Sequence, residues 1–427
     1  MTSINELRER LLKLSKEEMA DLIIDLIGRV EKLEAKLNIY ENSNTPSSQQ
    51  RFKTKTEQDP NKPRFPGAPL NHKGAGIRLP RADRVEEHKI NDASLKIVGK
   101  YSRTIIDFAE KPLEVVEHII YQYENSNCIL VEPELDLPNG IYGKNLQAFV
   151  SELKAIGGIS LEKTADILKT LRPDLSICPA TILSIIDNIS QKLENPRTNV
   201  QKEIRNSQYN NADETGMRQD GQNGYVWVFC NPKYVLYEYD PSRARAVAER
   251  VLGKDYDGWI VSDGYAAYEI FKQQRCWSHI LREADDLAEE FPESNLQAEH
   301  LHEIYNLAAN SKTDLPEKRQ AVIEKLSGTT ELGHIIQVLR TTQGCKKFSG
   351  TLERAAPHLF IGVENPEIPL HNNYAERTIR PIVIHRKMMG CIRNKKGQRF
   401  INNTLTMIQT WKIQGQNIHK NLIKYAS

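Results

Sequence analysis

The amino-acid sequence predicts a multidomain α/β protein whose mixed core is interrupted by a long helical segment. Three observations predict this class. Apolar residues recur at helical spacing in residues 4–39 and 145–195, strands alternating with helices begin near Asn206, and a mainly helical, polar interval covers residues 279–360. That interval is too long for a loop, so it must form an inserted helical subdomain.

Composition restricts the class of protein further. A chain of 427 residues with 39% hydrophobic content can bury one large core or several small ones. No apolar run approaches the roughly 18 to 20 residues that cross a bilayer, and Met1 is not followed by a basic segment and an apolar stretch. We therefore expect a soluble, cytoplasmic protein. Its six cysteines contain no CxxC pair, so reduced thiols are expected instead of disulfides or a complete zinc ribbon.

The first 45 residues predict a helix with a coiled-coil seam. Ser15 and Glu18 have the spacing of a capping box. Apolar residues then alternate at intervals of three and four, at Ile23, Leu26, Val30, Leu33 and Leu37. The seam predicts a homo-oligomer, at least a dimer, although an intramolecular helical hairpin would show the same pattern.

Two less regular regions follow. Residues 46–94 interleave proline and glycine with lysine and arginine, which indicates a flexible basic linker that can lie along DNA. Residues 95–134 show β-like alternation around Ser94–Val98 and Glu114–Tyr121, and we expect a small β module there.

Residues 135–205 return to helical periodicity. A helix is expected over Leu161–Leu171, followed by Pro173, an N-cap at Ser176 and a second helix that carries Ile182 and Ile186. Two short helices around a tight turn fit a DNA-binding helix-turn-helix, and the same pattern also describes any helical hairpin.

Strands alternate with helices from residue 206 onward. Residues 224–230 and 234–239 predict paired strands, residues 243–252 a helix, and Trp259–Val261 a buried strand that leads to Asp263. A ribonuclease-H-like sheet would have this order. We expect the core in two parts, residues 206–292 and 362–427, separated by the helical insertion at 293–361.

Three acidic residues are candidates for catalysis. Two hard cations about 4 Å apart can activate a water molecule and stabilise a leaving oxygen, and such cations prefer carboxylate ligands. Asp213, Asp263 and Glu376 each lie in a turn-like or polar context. The aspartates could instead be ordinary turn residues. Glu376 could form a capping box with Asn373 or pair with Arg380.

The charge distribution indicates a nucleic-acid partner. The segment from Arg377 to Ser427 contains eleven Lys or Arg and no Asp or Glu, although the net charge of the chain is only +2. We expect eight of these side chains to bind DNA phosphates: Arg377, Arg380, Arg386, Lys387, Arg393, Lys395, Lys396 and Arg399. Cys276 and His279 have the spacing of half a zinc site, and a structural role is the simpler interpretation.

Several of these segments resemble a known family. They are Asp213-Glu214-Thr215, Ser262-Asp263-Gly264-Tyr265, Arg275-Cys276-Trp277-Ser278-His279, and Asn372-Asn373-Tyr374-Ala375-Glu376-Arg377-Thr378-Ile379-Arg380-Pro381 with Arg386-Lys387. The set is similar to the motifs of the insertion-sequence-66 family of bacterial DDE transposases. The resemblance implies that Asp213, Asp263 and Glu376 form the acidic triad and hold two Mg²⁺ ions, which Mn²⁺ can replace. Members of the family often carry a cysteine zinc ribbon, and the resemblance makes the β module at residues 95–134 a degenerate version of it. This region retains only Cys128, so zinc is not expected.

The sequence thus predicts a DNA transposase that cuts transposon ends and joins them to target DNA. Its expected partners are double-stranded DNA at both sites, further copies of itself and accessory proteins encoded by the same element, with association to the nucleoid when DNA is bound. Two alternatives stay open. One is a non-catalytic DNA-binding regulator derived from a transposase, and the other is a nuclease that only hydrolyses.

Overall fold

The computed structural model describes residues 112–119, 123–124, 130–131, 137–138, 140–326 and 331–426. All of these residues belong to one unit of the chain, Asp107–Ser427. The expected coiled coil at residues 1–45 and the basic linker at 46–94 lie outside the described residues, and both stay predictions.

The expected strand between Glu114 and Tyr121 is not formed in the described part of that segment. Residues 114–119 have no regular secondary structure, and the side chains of Val115, Val116 and Ile119 are exposed. Two short strands, β1 (Tyr123–Glu124) and β2 (Leu130–Val131), pair in antiparallel fashion further along the chain. Alternation alone does not make a strand when no neighbouring strand accepts its backbone hydrogen bonds.

Among the described residues, four helices precede the sheet: α1 (Lys144–Ala155), α2 (Leu161–Leu171), α3 (Pro179–Lys192) and α4 (Glu194–Arg205). Helix α2 has the bounds expected from the sequence, and the Ser160 hydroxyl caps it by accepting the Lys163 N–H at 3.2 Å. Helix α3 begins at Pro179 with Cys178 as its N-cap, not at Ser176. Proline is favoured at this position because the first helical N–H has no acceptor within the helix.

Helix α3 is buried over most of its length. Its apolar residues Ile182, Ile186 and Ile189 lie in the main hydrophobic core, and Ser190 shares a hydrogen bond with the Thr404 hydroxyl at 2.7 Å. Its exposed residues are Ala180, Ser184, Asn188, Gln191 and Lys192. DNA reading by the hairpin of α2 and α3 stays a prediction, and only this narrow face of α3 is open to a partner.

The central sheet has five strands: β3 (Tyr209–Gly216), β4 (Tyr225–Cys230), β5 (Val235–Asp240), β6 (Trp259–Ser262) and β7 (Lys272–Arg275). Helix α5 (Arg245–Leu252) connects β5 to β6. The spatial order of the strands is β5-β4-β3-β6-β7. The pairs β3/β4 and β4/β5 are antiparallel, whereas β3/β6 and β6/β7 are parallel. Strand β3 therefore lies at the centre, with a meander on one side and parallel strands on the other.

Strand β3 is polar at its start because its buried amides have partners. The Asn210 side chain donates to the Ile204 carbonyl at 2.8 Å and accepts from Asn231 at 3.0 Å. The Asn211 side chain donates to Asn372 at 2.9 Å. A buried amide with its hydrogen bonds satisfied is tolerated in a core, so a polar strand can occupy the middle of the sheet.

The part of the chain between β7 and the C-terminal helices forms a second hydrophobic core. It is built by α6 (Trp277–Glu290), α7 (Asn295–Ser311), α8 (Pro316–Leu326), α9 (Glu331–Thr341), α10 (Lys346–Ala355) and α11 (Ile361–Glu364). Its buried residues run from Trp277 to Leu370. The helical insertion thus has a core of its own, and that core includes α6, which lies before residue 293.

The C-terminal part covers the edge of the sheet. It comprises α12 (Asn373–Met389), α13 (Lys395–Arg399), a π-helical segment Phe400–Leu405, α14 (Thr406–Ile413) and α15 (Ile418–Ile423). Side chains one helical turn apart accept alternate N–H groups of edge strand β5: Asn402 from Tyr239, Thr406 from Tyr237 and Thr410 from Val235. This ladder closes an edge that could otherwise pair with another chain. Among the described residues, no helix has the length and apolar character needed to span a membrane.

Candidate active site

Asp213 and Asp263 lie side by side on neighbouring parallel strands. Asn211 of β3 is paired with Val261 of β6, so Asp213 and Asp263, each two residues further on, come to the same height. Adjacent strands are about 4.8 Å apart, which brings the two carboxyl groups to one point of the sheet. Asp213 lies within β3 and not at its end, whereas Asp263 directly follows β6 as the sequence predicted.

Backbone N–H groups fix both aspartates. The Asp213 carboxylate accepts the N–H of Glu214 at 2.8 Å, and the Asp263 carboxylate accepts the N–H of Tyr265 at 2.9 Å. The turn after Asp263 requires Gly264, whose φ of +89° is disfavoured for residues with a side chain. The sequence Ser-Asp-Gly therefore fixes the orientation of the Asp263 carboxylate.

Glu376 reaches the same region from the first turn of α12. Asn372, the residue before α12, is only 1% exposed. Its side chain donates to the Ala212 carbonyl at 2.8 Å and accepts from the Asn211 side chain at 2.9 Å. These bonds hold the start of α12 against β3. Asn372, not Asn373, is the N-cap, and it makes no side-chain cap bond. Among the described residues, the basic group paired with Glu376 is His279, at 3.7 Å, and not Arg380.

The charges of the three carboxylates act on one another. The pKa of Asp213 is raised to about 7, first by burial and then by the charges of Glu214, Asp263 and Glu376, against the opposing N–H of Glu214. The Glu376 Oε1 atom is buried and has no hydrogen-bond partner within the described part of the chain. Carboxylates that repel one another in a partly buried site gain free energy when a cation neutralises them.

These donors fit a hard divalent cation. Each offers carboxylate oxygen, the ligand that Mg²⁺ and Mn²⁺ prefer. A second ligand group, formed by Cys276, His279 and Glu376, has donor atoms within 4.8 Å of one another. It provides three of the four ligands of a structural zinc site, and the Cys276 sulfur already accepts the Asn372 N–H at 3.1 Å.

Cys276 and His279 connect the start of α6 to the start of α12. Burial alone would raise the pKa of Cys276, but the neighbouring His279 side chain and the hydrogen bond from the Asn372 N–H outweigh it and lower the pKa. The neighbouring Cys276 side chain raises the pKa of His279 despite burial, and the charges of Glu376 and Asp263 add to that effect. The CxxH segment at the start of α6 therefore contacts both the N-cap and the first turn of α12.

Glu214 is a buried acid that the sequence analysis did not single out. Its side chain is 2% exposed, and it accepts hydrogen bonds from Arg243 at 2.6 and 3.0 Å and from the Tyr268 hydroxyl at 2.7 Å. Because strand residues alternate, Glu214 projects from the face of β3 opposite to Asp213. That alternation is the signal that could have separated the two neighbouring acids.

Arg243 connects this buried acid to the Asp263 turn. Its guanidinium lies 4.0 Å from the centre of the Tyr265 ring, and the Tyr265 hydroxyl donates to the Arg243 carbonyl at 2.7 Å. Tyr265 in turn donates its N–H to Asp263. Glu214 of β3 is thus linked through Arg243 and Tyr265 to Asp263, the residue that follows β6.

The eight basic residues expected to bind phosphate fall into two groups. Five are exposed, namely Arg377, Arg380, Lys387, Arg393 and Lys395. Two others are bonded within the protein: Arg386 donates to the Thr215 hydroxyl at 3.0 Å and to the Gly216 carbonyl, and Arg399 binds the buried Asp187 carboxylate at 2.7 Å. Lys396 is half-buried, 3.8 Å from Asp187.

The segment Lys395–Arg399, which carries three of these residues, is a short helix with Asn394 as its N-cap. The Asn394 side chain caps it by accepting the Gly397 N–H at 3.2 Å. A DNA contact by Arg386 or Arg399 would compete with the internal bonds just described. Phosphate binding by the eight residues stays a prediction, and the exposed five are its better candidates.

The sequence matches the family model described as "Transposase IS66 family" over residues 139–399. The chain belongs to this family. The match covers more than half of the chain and includes Asp213, Asp263 and Glu376. The IS66 chain is also similar to the "Uncharacterized protein y4jO" of Sinorhizobium fredii (strain NBRC 101917 / NGR234), with 24% identity over 163 residues. That similarity covers 37% of this chain and 49% of the relative, so the chain spans about half the length of the curated relative.

Proposed function

We propose that this IS66 family member is a DDE transposase that cuts the ends of its element and joins them to target DNA. Asp213, Asp263 and Glu376 hold the catalytic metal ions. The observation that carries the proposal is the convergence of these carboxylates from β3, β6 and α12, where burial and mutual repulsion raise the pKa of Asp213 to about 7. Family membership over residues 139–399 supports the same activity.

The fold proposal is a ribonuclease-H-like catalytic core with a helical insertion before the glutamate. Three antiparallel strands continued by two parallel strands support it, with the first aspartate on the central strand. The separate apolar core of α6 to α11 supports the insertion. The coiled coil at residues 1–45 and the DNA-reading hairpin at 135–205 complete the proposed domain order.

The residues of the site have distinct roles in this proposal. Two Mg²⁺ ions, or Mn²⁺ in their place, would activate the attacking oxygen and stabilise the leaving oxygen of the phosphodiester. Asp213 and Asp263 provide ligands from a rigid sheet, and Glu376 provides one from a helix that Asn372 fixes to that sheet. Glu214 is kept out of the ligand set by Arg243 and Tyr268.

The same site would serve two successive in-line displacements at phosphorus. Water is the first nucleophile and releases a 3′ hydroxyl at the transposon end, and that hydroxyl is the second nucleophile on a target strand. The exposed side chains of Arg377 and Arg380, on the helix that carries Glu376, are suited to binding the flanking phosphates without reading sequence.

End cleavage by single-residue variants tests the proposal. Asp213→Asn, Asp263→Asn and Glu376→Gln each remove one ligand charge and nearly preserve shape, so each should lower cleavage of end-containing DNA in Mg²⁺ to below a few per cent of the wild-type rate. Binding to the same duplex should survive. Asp314→Asn, which changes an exposed carboxylate outside the hairpin and the site, is the matched control and should cut normally.

The products distinguish the remaining alternatives. A wild-type chain that binds element ends but never cuts them would support the regulator, and one that nicks them without joining the 3′ ends to target would support the nuclease. Glu376→Gln protein that cuts at near the wild-type rate would show that another acid is the third ligand.

A further inference from the structure

Arg275 lies at the end of β7, immediately beside the candidate active site. Arg275 pairs with Ser262, the last residue of β6, in the parallel part of the sheet, and Asp263 follows Ser262 directly. Its guanidinium rests on the backbone of Gly264. A Cβ atom built on Gly264 would lie 0.8 Å from the Arg275 Nη1 atom. The glycine therefore leaves the space that Arg275 fills, in addition to allowing the positive φ of the turn.

Arg275 has no carboxylate partner among the residues that the structure describes. Its Nε atom is buried without a hydrogen bond, and no acid lies within 4.0 Å of its guanidinium in that part of the chain. Burial lowers the pKa of Arg275, and the more distant charges of Asp263 and Glu269 oppose that effect. A partly buried guanidinium without a partner costs free energy, which a bound anion would recover.

Two residues of the helical insertion interact electrostatically with the same guanidinium. Arg354 is exposed on α10, and His358 ends the 3₁₀ turn Ala356–His358. The following residue, Leu359, fixes this turn to β7 and α6, because its carbonyl accepts from the Gln274 amide at 3.1 Å and the Trp277 indole at 2.7 Å. The position of His358 is therefore set by the catalytic sheet.

The charges of these groups act on one another. Arg354 lowers the pKa of Arg275, and Arg275 adds to the effect of burial in lowering the pKa of His358. Within the described residues, Arg354 forms no ion pair, whereas Arg340 on the neighbouring helix is bound to Glu353 at 2.7 Å. The surface beside Asp263 thus gathers two guanidinium groups that the protein itself does not neutralise, together with the imidazole of His358.

We propose that Arg275, Arg354 and His358 form a binding subsite for a backbone phosphate of DNA, next to the phosphodiester that is cut. Arginine offers the planar donor pair that matches phosphate oxygens. The subsite adjoins Asp263, and in the proposed function, on which this inference rests, a DNA strand must cross that point. The helical insertion then takes part in holding DNA and does not only separate the two parts of the core.

Salt-dependent DNA binding tests this subsite without requiring cleavage. The full chain and its variants are titrated with a random-sequence duplex in EDTA at several salt concentrations. Each phosphate contact contributes about 0.9 to the slope of log affinity against log salt. Arg354→Ala should lower the slope by about 0.9, and the double variant Arg275→Ala/Arg354→Ala by about 1.8. Arg340→Ala, the matched control, should leave the slope unchanged.

The design keeps each failure interpretable. Arg354 is exposed, so its variant tests the subsite even if Arg275→Ala fails to fold. Unchanged slopes for Arg354→Ala and the double variant would overturn the inference. Calorimetric binding of inorganic phosphate to the wild type that is lost in Arg275→Ala, with no change of slope, would also overturn it in favour of a small-anion site. Altered slopes in a chain that never cuts DNA would refute the proposed function and support the subsite.

Discussion

Replacing Asp213 by asparagine should stabilise the metal-free protein. The wild-type carboxylate is buried beside Glu214, Asp263 and Glu376, and its pKa rises from 3.8 to about 7. At about 1.4 kcal/mol for each tenfold change in proton affinity, ionised Asp213 costs the folded state about 4 kcal/mol. Asparagine carries no charge and retains the oxygen that accepts the Glu214 N–H, so Asp213→Asn should remove most of that cost.

The effect should depend on pH with a definite sign. Below about pH 4 the carboxyl is protonated in both folded and unfolded chains, so Asp213 costs nothing. Between pH 4 and pH 7 only the unfolded chain is ionised, and the cost grows as the pH rises. Above pH 7 it is constant. The free energy of unfolding of Asp213→Asn should therefore exceed that of the wild type by about 4 kcal/mol at pH 8 and by about 2 kcal/mol at pH 5.5.

Urea unfolding followed by tryptophan fluorescence measures this difference, with EDTA present and Asp314→Asn as the exposed control. Added Mg²⁺ should narrow the difference at pH 8, because a ligand at a hundredfold excess over its Kd stabilises the wild type by about 2.7 kcal/mol and the variant by less. Equal stabilities of wild type and Asp213→Asn at pH 8, or a difference that does not change with pH, would refute the reasoning.

Three other predictions concern packing and assembly. Arg399→Ala should lower the free energy of unfolding by about 3 kcal/mol, because the Asp187 carboxylate is 5% exposed and loses its main partner. A lower salt slope for DNA binding without loss of stability would instead favour a contact between Arg399 and a DNA phosphate. Asn372→Ala should lower the free energy of unfolding in urea by about 2 to 4 kcal/mol, because two buried hydrogen bonds are lost. The same variant should cut transposon ends more slowly, and a normal rate of cleavage would show that α12 does not need Asn372 to hold it in place. Deleting residues 1–40 should lower the oligomeric state in light scattering, and an unchanged state would favour the intramolecular hairpin.

Local signals predicted the elements that local chemistry determines. Helix α2 has both an amphipathic pattern and the Ser160 cap, and its bounds agree with the sequence prediction. Strand β6 is a short apolar run that ends at a glycine turn, so the position of Asp263 followed from sequence. Helix α3 was placed too early because Ser176 resembles an N-cap, whereas Pro179 is the residue whose missing N–H suits a helix start.

Features that depend on distant residues could not be predicted. The polar start of β3 is stable because Asn210 and Asn211 find partners at Asn231 and Asn372, and no local pattern reveals those partners. Likewise, Arg399 appears in the sequence as part of a basic tail, but Asp187 on α3 neutralises it. Charge counts identify a basic segment, and only the fold separates its free cations from its paired ones.

The site itself shows the same division. The residue types of Asp213, Asp263 and Glu376 and their resemblance to family motifs indicated the triad. The fixing of Glu376 by Asn372 and Cys276 depends on contacts across 96 to 161 positions of the chain. The basic group at Arg275 was missed because Gly264, which makes room for it, is explained by its turn alone.

A count of bound metal ions tests the central claim most directly. Mn²⁺ is titrated into the full chain with duplex DNA present, and the free ion is measured by electron paramagnetic resonance. We predict two bound ions per wild-type site, at most one in Asp213→Asn, Asp263→Asn and Glu376→Gln, and two in Glu214→Gln, the buried neighbouring acid that Arg243 and Tyr268 occupy. Equal numbers of bound ions in the wild type and the three triad variants would contradict the assignment.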